Sequence, residues 1–377
     1  MRIAYISLHW PRAIESGIGK KILLQMNQWQ NEGHDVQFFM HMQDGLTNDE
    51  LIPSVSTTYK AYPGWLGRFK TEYNRCAAIV RLIPEVRNYN PDLIYLRWGM
   101  YVFPAHRIFS ICPVVVEINT NDVFQHGLLG LAYGIYNRLT RGIFLKRAVG
   151  LVCTSQELAD AREFSKYKKP YVVIANGVDL DLIKLVKAPN NQIPRLVFIG
   201  TPGLPWHGVD KLVDLAHQFP DLIIDLIGYD QLENGAVPPP NLILHGYLTT
   251  WEYHQILTGI DVGIGTLALH RKGMEEASPL KTRECLAYGI PMVLPYKDTD
   301  LNDFSSPYLL QIPNIEDNIW KYGKKIHDFA YAMRGERIQA SELSSRIGMK
   351  AKEAKRLAFF TQCLQALNDR IGIHINE

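Results

Sequence analysis

What most constrains this chain is a recurrent alternation of short, continuous apolar runs with longer polar, helix-compatible segments. The runs are Arg2–Ser7, Val36–Met40, Leu93–Leu96, Val114–Ile118, Leu151–Thr154 and Val172–Ala175. They lack the in-out alternation of a half-exposed strand and predict a parallel sheet covered on both faces. Between the first two lie Glu15-Ser16-Gly17-Ile18-Gly19, a helix-like stretch over Lys20–Gln30 and Gly33. That order, strand, glycine loop, helix, strand, predicts a doubly wound α/β domain over residues 1–185.

A second series begins at once. Strand-like Leu196–Ile199, Leu222–Ile227, Leu242–Leu244, Val262–Gly265 and Pro291–Pro295 alternate with helix candidates Val209–Gln218, Trp251–Leu257 and Leu280–Tyr288. Residues 186–195 are polar, carry two prolines and show no periodicity, which suits a linker. A second α/β domain is therefore expected over 196–350. The tail from Ile338 to Asp369 reads as one or two charged amphipathic helices, with 351–377 expected to pack back on the N-terminal domain.

Composition narrows the class. The 377 residues leave room for two such cores, and 47% hydrophobic with 21% charged residues excludes disorder, collagen and coiled coil. Forty Lys and Arg against 38 Asp and Glu give +2, too balanced for a general nucleic-acid binder. Cys76, Cys112, Cys153, Cys285 and Cys363 are widely spaced, so neither a disulfide framework nor a zinc cluster is indicated. The first apolar run is too short for a signal peptide, and no run approaches the ~20 residues of a membrane span. A cytoplasmic protein is expected.

The charge is unevenly placed. Residues up to Leu185 hold 21 basic against 16 acidic side chains, and the remainder 19 against 22. Lys60 to Arg147 alone holds 12 against 5. The plainer alternative is a solvated surface. The other is a face for a lipid phosphate or an anionic membrane, which Trp65, Leu66 and Phe69 beside Arg68 and Lys70 would suit.

Chemistry concentrates in Glu275-Glu276-Ala277-Ser278-Pro279-Leu280-Lys281-Thr282-Arg283-Glu284 and its continuation to Val293. Ser278 as N-cap, Pro279 at the first helical position, and Gly289 before Pro291 predict one short helix over Pro279–Tyr288. Its N-terminal N–H groups suit an anion. Lys281 in the first turn opposes the helix dipole, a misfit that a nearby phosphate would relieve; the alternative is an exposed lysine without a task. Glu276 and Glu284 flank the helix start and could hold hydroxyls of a sugar and a ribose. Ser278-Pro279-Leu280-Lys281 also fits the S-x-x-K pattern of serine acyl enzymes, but the required K-T-G and S-D-N partners are missing from the chain.

Glu276-x7-Glu284 followed by Ala287-Tyr288-Gly289-Ile290-Pro291-Met292-Val293 resembles the signature of the group 1, family 4-like retaining glycosyltransferases of GT-B fold. Val173-Ile174-Ala175-Asn176-Gly177-Val178-Asp179, Phe198-Ile199-Gly200, Gly208-Val209-Asp210-Lys211-Leu212, Leu226-Ile227-Gly228 and His245-Gly246-Tyr247-Leu248 resemble further segments of that family in the same order. The resemblance implies two Rossmann-like domains facing each other across a cleft, with a nucleotide-sugar donor on the second and a glycan or lipid-linked acceptor on the first. It implies that Glu276 contacts the donor sugar and Glu284 the ribose. Backbone at Pro279, Leu280 and Lys281 would meet the diphosphate, Gly246, Tyr247 and Leu248 would lie against the base, and Gly17 and Gly19 would belong to the glycine loop. No cofactor beyond the donor and no metal is implied.

Departures from the family pattern bear on mechanism. The usual Arg after Gly200 is replaced by Thr201-Pro202, and the usual Lys before Gly208 by Trp206-His207. His207 and Lys281 are the candidates to supply the missing positive character; for His207 the alternative is a turn residue packed on Trp206. Where the family often has a histidine just after the strand matched here by Val114–Ile118, this chain has Val116-Glu117-Ile118-Asn119, with His126 later. Asn119 is the first candidate to face the reacting sugar, and Glu117 could equally be a buried structural carboxylate. Two other classes stay open: a nucleotide-sugar epimerase or hydrolase of the same fold, and a non-catalytic sugar-binding paralogue. Localisation follows as cytoplasmic, at the inner face of a membrane if the basic N-terminal half docks there.

Overall fold

The computed structural model describes residues 1–8, 17–44, 54–128, 130–183 and 186–371. Glu15 and Ser16 of the expected glycine loop, residues 184 and 185, and 372–377 lie outside them. The chain forms two units: Met1–Ile174 with Lys350–Glu377, and Ala175–Met349. The first unit thus ends before the expected boundary at 185, and the proline-bearing stretch 186–195 belongs with the second.

The first unit carries a seven-stranded parallel sheet of β1 (Arg2–Ser7), β2 (Asp35–Gln43), β3 (Ser54–Tyr59), β4 (Leu93–Arg97), β5 (Val114–Ile118), β6 (Gly150–Cys153) and β7 (Tyr171–Val173). Their order is β3-β2-β1-β4-β5-β6-β7, so the winding reverses between β1 and β4. β5 is buried at every residue, as its unbroken Val-Val-Val-Glu-Ile run requires of a strand covered on both faces. α1 (Gly17–Asn31) turns Ile22, Met26 and Trp29 onto the sheet, at helical spacing. Around Trp29, the rings of Tyr5, Tyr95 and Phe360 pack at 5.4–5.6 Å between centroids. Phe360 belongs to the closing helix Met349–Ile371, which also places Leu357, Phe359 and Cys363 in this core. Glu353 of the same helix is buried and accepts from Trp29 Nε1 at 2.8 Å, which satisfies a carboxylate that burial would otherwise penalise. α2 (Gly64–Tyr89) packs along β2 and β3, and α3 (Asp122–Leu128) and α4 (Leu131–Thr140) pack on each other.

The second unit repeats the plan with β8 (Arg195–Ile199), β9 (Ile223–Ile227), β10 (Leu242–Gly246), β11 (Val262–Ile264), β13 (Met292–Leu294) and β15 (Leu309–Gln311) in the order β10-β9-β8-β11-β13-β15. A separate parallel pair joins β12 (Glu276–Ala277) to β14 (Lys297–Asp298). Here the winding reverses between β8 and β11. Leu196, Phe198, Leu226, Val262 and Val293 fill one core with Leu212 and Leu215 of the helix Val209–Gln218. Both domains are doubly wound, the α/β class expected. β3 and β15 go unforeseen for a shared reason: each is an edge strand, β3 polar in Ser-Val-Ser-Thr-Thr-Tyr and β15 only three residues long.

Candidate functional site

In an open α/β sheet, ligands bind beyond the carboxyl ends of the strands where the winding reverses. For the second unit that place is formed by the loops after β8 and β11. The loop after β8 contains a single 3-10 turn, Pro205–His207, and passes into the helix Val209–Gln218 at Gly208, φ +71°. A Cβ there would stand 2.9 Å from that of Leu267, so only glycine lets the two loops meet. They are stitched by Leu267 N–H to His207 O and Ala268 N–H to Trp206 O, both 3.2 Å. Arg271, in the 3-10 turn Leu269–Lys272, clamps the junction through Asp210 and Glu316.

Two ammonium groups and an imidazole gather on this junction along a row of aromatic rings. Lys281 Nζ lies 4.0 Å from the centroid of Phe198, whose ring meets that of His207 edge-on at 5.7 Å. His207 in turn packs edge-on against Trp206, over which Lys272 Nζ lies at 4.8 Å. The Lys281 ammonium is buried and has no hydrogen-bond partner among the described residues. Burial lowers Lys281 to about 7 and Lys272 to about 8. Burial, reinforced by these two cations, pushes His207 far below the imidazole range and keeps it neutral. Thr201 N–H donates to His207 Nδ1 at 3.2 Å, which leaves the ring proton on Nε2 as a donor. Tyr229 Oη fixes the other side of the loop by donating to Thr201 O at 2.7 Å.

The helix that carries Lys281 runs Leu280–Ala287, with Pro279 as its N-cap residue. Ser278 does not cap it, contrary to the sequence expectation. Its hydroxyl is already engaged by Asn176 N–H at 2.8 Å and Arg283 Nη2 at 2.9 Å. The first-turn N–H groups at Leu280, Lys281 and Thr282 consequently have no side-chain cap. Arg283 is fully buried and pins the helix: it binds Asp298 bidentately at 2.7 and 2.8 Å, Asp300 at 2.8 Å and Asn176 O at 3.0 Å.

Glu276 sits half-buried on β12, in register with Lys297. Glu284 lies within the helix and accepts from Tyr253 Oη at 3.0 Å, so its carboxylate is oriented before any ligand arrives. Gly246 ends β10 at φ +62°, donating to Tyr229 O at 2.9 Å and accepting from Gly228 N at 2.7 Å. Tyr247 beyond it is 77% exposed and Leu248 half-buried. Hydrogen bonds therefore link Gly246 through Tyr229 to the loop of His207. Beside Tyr229, a cavity of about 400 Å³ is lined by Pro202, Asp230, Gln231 and Glu233. Among the described residues, no three His, Cys, Asp or Glu side chains gather to hold a metal ion.

In the first unit, Gly17 and Gly19 form the first turn of α1, a helix start where a loop was expected. Lys21, one turn on from Gly17, reaches the end of β5: its Nζ donates to Glu117 Oε1 at 2.7 Å and Asn119 Oδ1 at 3.1 Å. Asn119 Nδ2 donates to Glu117 Oε2 at 3.0 Å, and Arg97 adds a bond at 3.2 Å. Burial alone would raise the Glu117 carboxyl, but Lys21, Arg97 and Arg356 together hold it well below the carboxylate range. Glu117 is thus a buried clamp that fixes Asn119.

The sequence profile of Glycosyltransferase Family 4 matches residues 16–182. Residues 16–182 are a Glycosyltransferase Family 4 domain. The match covers the N-terminal part; the Glu276-x7-Glu284 stretch lies outside it. Solved structures supply the architecture of the whole chain. The sucrose-phosphate synthase of Thermosynechococcus elongatus superposes with a TM-score of 0.68 at 14% identity, covering 97% of this chain and 100% of that one. The lipopolysaccharide outer core galactosyltransferase WaaB, in its apo form, gives 0.64 at 13%, covering 96% and 100%. An α-glucosyltransferase in complex with UDP and DNA gives 0.60 at 14%, covering 96% and 100%. A comparison with curated proteins found no match in sequence. The chain is a glycosyltransferase with two parallel-sheet domains of GT-B fold.

Within this glycosyltransferase, sequence reasoning had named Glu276, Lys281, His207, Glu284, Pro279, Leu280, Gly246, Tyr247 and Leu248. The structure places all of them on the second unit, with Lys281 and His207 both against the ring of Phe198. Lys272, Arg283, Tyr253 and Lys21 went unnamed. Only Lys272 left a trace in the sequence, as the last of three successive basic residues, His270-Arg271-Lys272, ahead of Glu276. The other three act through contacts distant along the chain.

Proposed function

We propose that this glycosyltransferase binds a nucleoside-diphosphate sugar on its second unit and transfers the sugar to a glycan or lipid-linked glycan. Transfer proceeds with retention of anomeric configuration and without a metal ion, as one step of surface-glycan synthesis on the cytoplasmic side of a membrane. One observation carries the reading: the buried, unpartnered Lys281 ammonium at an uncapped helix start, where the winding of the second sheet reverses. A buried cation without a partner is costly and calls for an anion. Lys281, Lys272, the Nε2–H of His207 and the N–H groups at Leu280 and Lys281 together suit a diphosphate.

In this mechanism the bond from the anomeric carbon to the diphosphate oxygen breaks as negative charge builds on the leaving diphosphate. The acceptor hydroxyl adds to the same face, and a diphosphate oxygen takes its proton. Fixed donors and ammonium groups that strengthen their hold as this charge develops lower the barrier. Glu276 accepts from sugar hydroxyls, and Glu284, oriented by Tyr253, accepts from the ribose. Gly246, Tyr247 and Leu248 take the base side. Asn119, held by Lys21 and Glu117, is the polar group that the first unit offers for an acceptor.

The test is thermal stabilisation by UDP, GDP, ADP and TDP, followed by transfer assays with the sugar donors of whichever nucleotide binds. Product must keep the anomeric configuration of the donor by NMR, and turnover without acceptor must be slow. Rapid acceptor-free conversion of the donor would mark an epimerase or hydrolase. Tight nucleotide binding without turnover over an acceptor panel would mark a binding protein.

A further inference from the structure

α2 is a helix of two characters. Its C-terminal part buries Ala78, Ile79, Leu82, Ile83 and Val86, whereas no residue before Ala78 is buried. Yet that first part carries Trp65, Phe69 and Tyr73 at i, i+4 and i+8, exposed by 70, 67 and 75%. Such spacing puts the three rings on one stripe, with Trp65 and Phe69 edge-to-face at 6.0 Å. α4 does the same with Leu131, Ile135 and Leu139, the first and last 81 and 77% exposed. Both helices meet the same segment: Tyr136 Oη of α4 donates to Tyr101 O at 3.1 Å, and α2 packs on the 3-10 turn Ala105–Ser110. Apolar residues scattered singly over a surface need no explanation, but two exposed stripes at helical spacing in one unit do.

The charge around the stripes says what covers them. Arg68, Lys70 and Arg138 are exposed on the same two helices. The one acidic residue in the exposed part of α2, Glu72, is paired with Arg75 at 2.8 Å. Residues 60–147 hold 12 Lys and Arg against 5 Asp and Glu. Among the described residues no helix is long and apolar enough to cross a membrane.

We propose that the first unit docks on an anionic lipid bilayer, seating the apolar stripes of α2 and α4 at the headgroup boundary with Arg68, Lys70 and Arg138 on the phosphates. Stable attachment at an interface takes two signals, and here apolar insertion and basic charge occur together. The docking face deepens the functional reading above, in which the acceptor is lipid-linked.

The experiment is co-sedimentation of the full chain with phosphatidylcholine vesicles, with and without phosphatidylglycerol. Wild type binds the phosphatidylglycerol vesicles, and binding weakens as salt is raised. A Trp65→Ser, Phe69→Ser, Leu139→Ser triple variant loses at least about tenfold in partitioning, and an Arg68→Gln, Lys70→Gln variant about tenfold on anionic vesicles alone. All these positions are exposed, so the circular dichroism and melting temperature of the variants stay those of wild type. Failure of wild type to bind anionic vesicles at low salt, or equal binding by the triple variant, overturns the proposal. A wild-type dimer in solution that the triple variant dissolves also overturns it, because a second copy then covers the face. Donor binding measured without vesicles is unaffected by either variant, which separates failure of the docking face from failure of the transferase reading.

Discussion

The ammonium of Lys281 lies 4.0 Å from the ring centroid of Phe198, buried, with no hydrogen-bond acceptor among the described residues. The ring's quadrupole gives partial compensation. It does not replace water: burial brings the lysine down to about 7. Lys281 is therefore half charged near neutral pH until an anion arrives.

Donor binding should couple to proton uptake. Near Lys281 are His207, already neutral, and Cys285, whose thiol burial pushes up to about 12; Lys272, over the Trp206 ring, is lowered to about 8. Below pH 7 Lys281 is charged with or without donor, and affinity is flat. Above it, the free enzyme must gain a proton to bind, so affinity falls by about tenfold per pH unit, and more steeply above pH 8 where Lys272 must gain one too. Calorimetry of an intact nucleoside-diphosphate sugar at several pH values, in buffers of different ionisation enthalpy, reads both the slope and the proton. A flat profile without proton uptake removes Lys281 from the diphosphate site.

Lys281→Met should lose activity and gain stability. The pKa of Lys281 is lowered on folding from 10.5 to about 7. Between those values the unfolded chain binds more protons, so the lysine's destabilising effect is largest below pH 7 and fades as pH rises through the window. Methionine removes that cost, and chemical denaturation at pH 7 should show a gain of about 1–3 kcal/mol. Transfer should fall at least about 10²-fold, since stabilisation of the leaving group is lost. Stability and activity falling together would instead give Lys281 a structural role.

The two glutamates should separate in kinetics. Glu276→Ala should lower transfer at least about 10²-fold if it grips the reacting sugar. Tyr253→Phe removes only the bond that orients Glu284, at a cost of about 1 kcal/mol, and should raise the donor KM about fivefold with kcat nearly unchanged. A kcat effect from Tyr253→Phe equal to that of Glu276→Ala would contradict this division.

Arg283→Leu strands Asp298, which is as buried as the arginine and held by both Nη atoms. Breaking a buried pair by removing one partner costs about 3–5 kcal/mol. Denaturant midpoints should drop accordingly, and nucleotide binding should weaken because Arg283 also ties Ser278 and Asn176 to the helix start. An unchanged midpoint would show that water reaches Asp298.

Much of the fold was legible along the chain because buried parallel strands are local events. Val114–Ile118 matches β5 residue for residue, and Arg2–Ser7 matches β1. The helix after Pro279 was legible through its proline and the glycine at its end. Its cap was not, because whether Ser278 caps the helix depends on Asn176, about a hundred residues earlier, and that backbone N–H takes the hydroxyl. The glycine pair Gly17 and Gly19 was visible, but its place inside α1 depends on where helical hydrogen bonding begins.

The sequence by itself determined two doubly wound α/β domains and a glutamate pair around a short helix. Periodicity, turn residues and spacing are written locally, and these features need nothing more. The tertiary structure alone decided how positive charge gathers on the second unit. Glycine at 208 lets the loops after β8 and β11 touch, which brings the turn Leu269–Lys272 to Trp206 and His207, while the helix Leu280–Ala287 lays Lys281 over Phe198. Burial there sets the protonation of all three groups, and burial is a property of packing that no single segment of the chain contains.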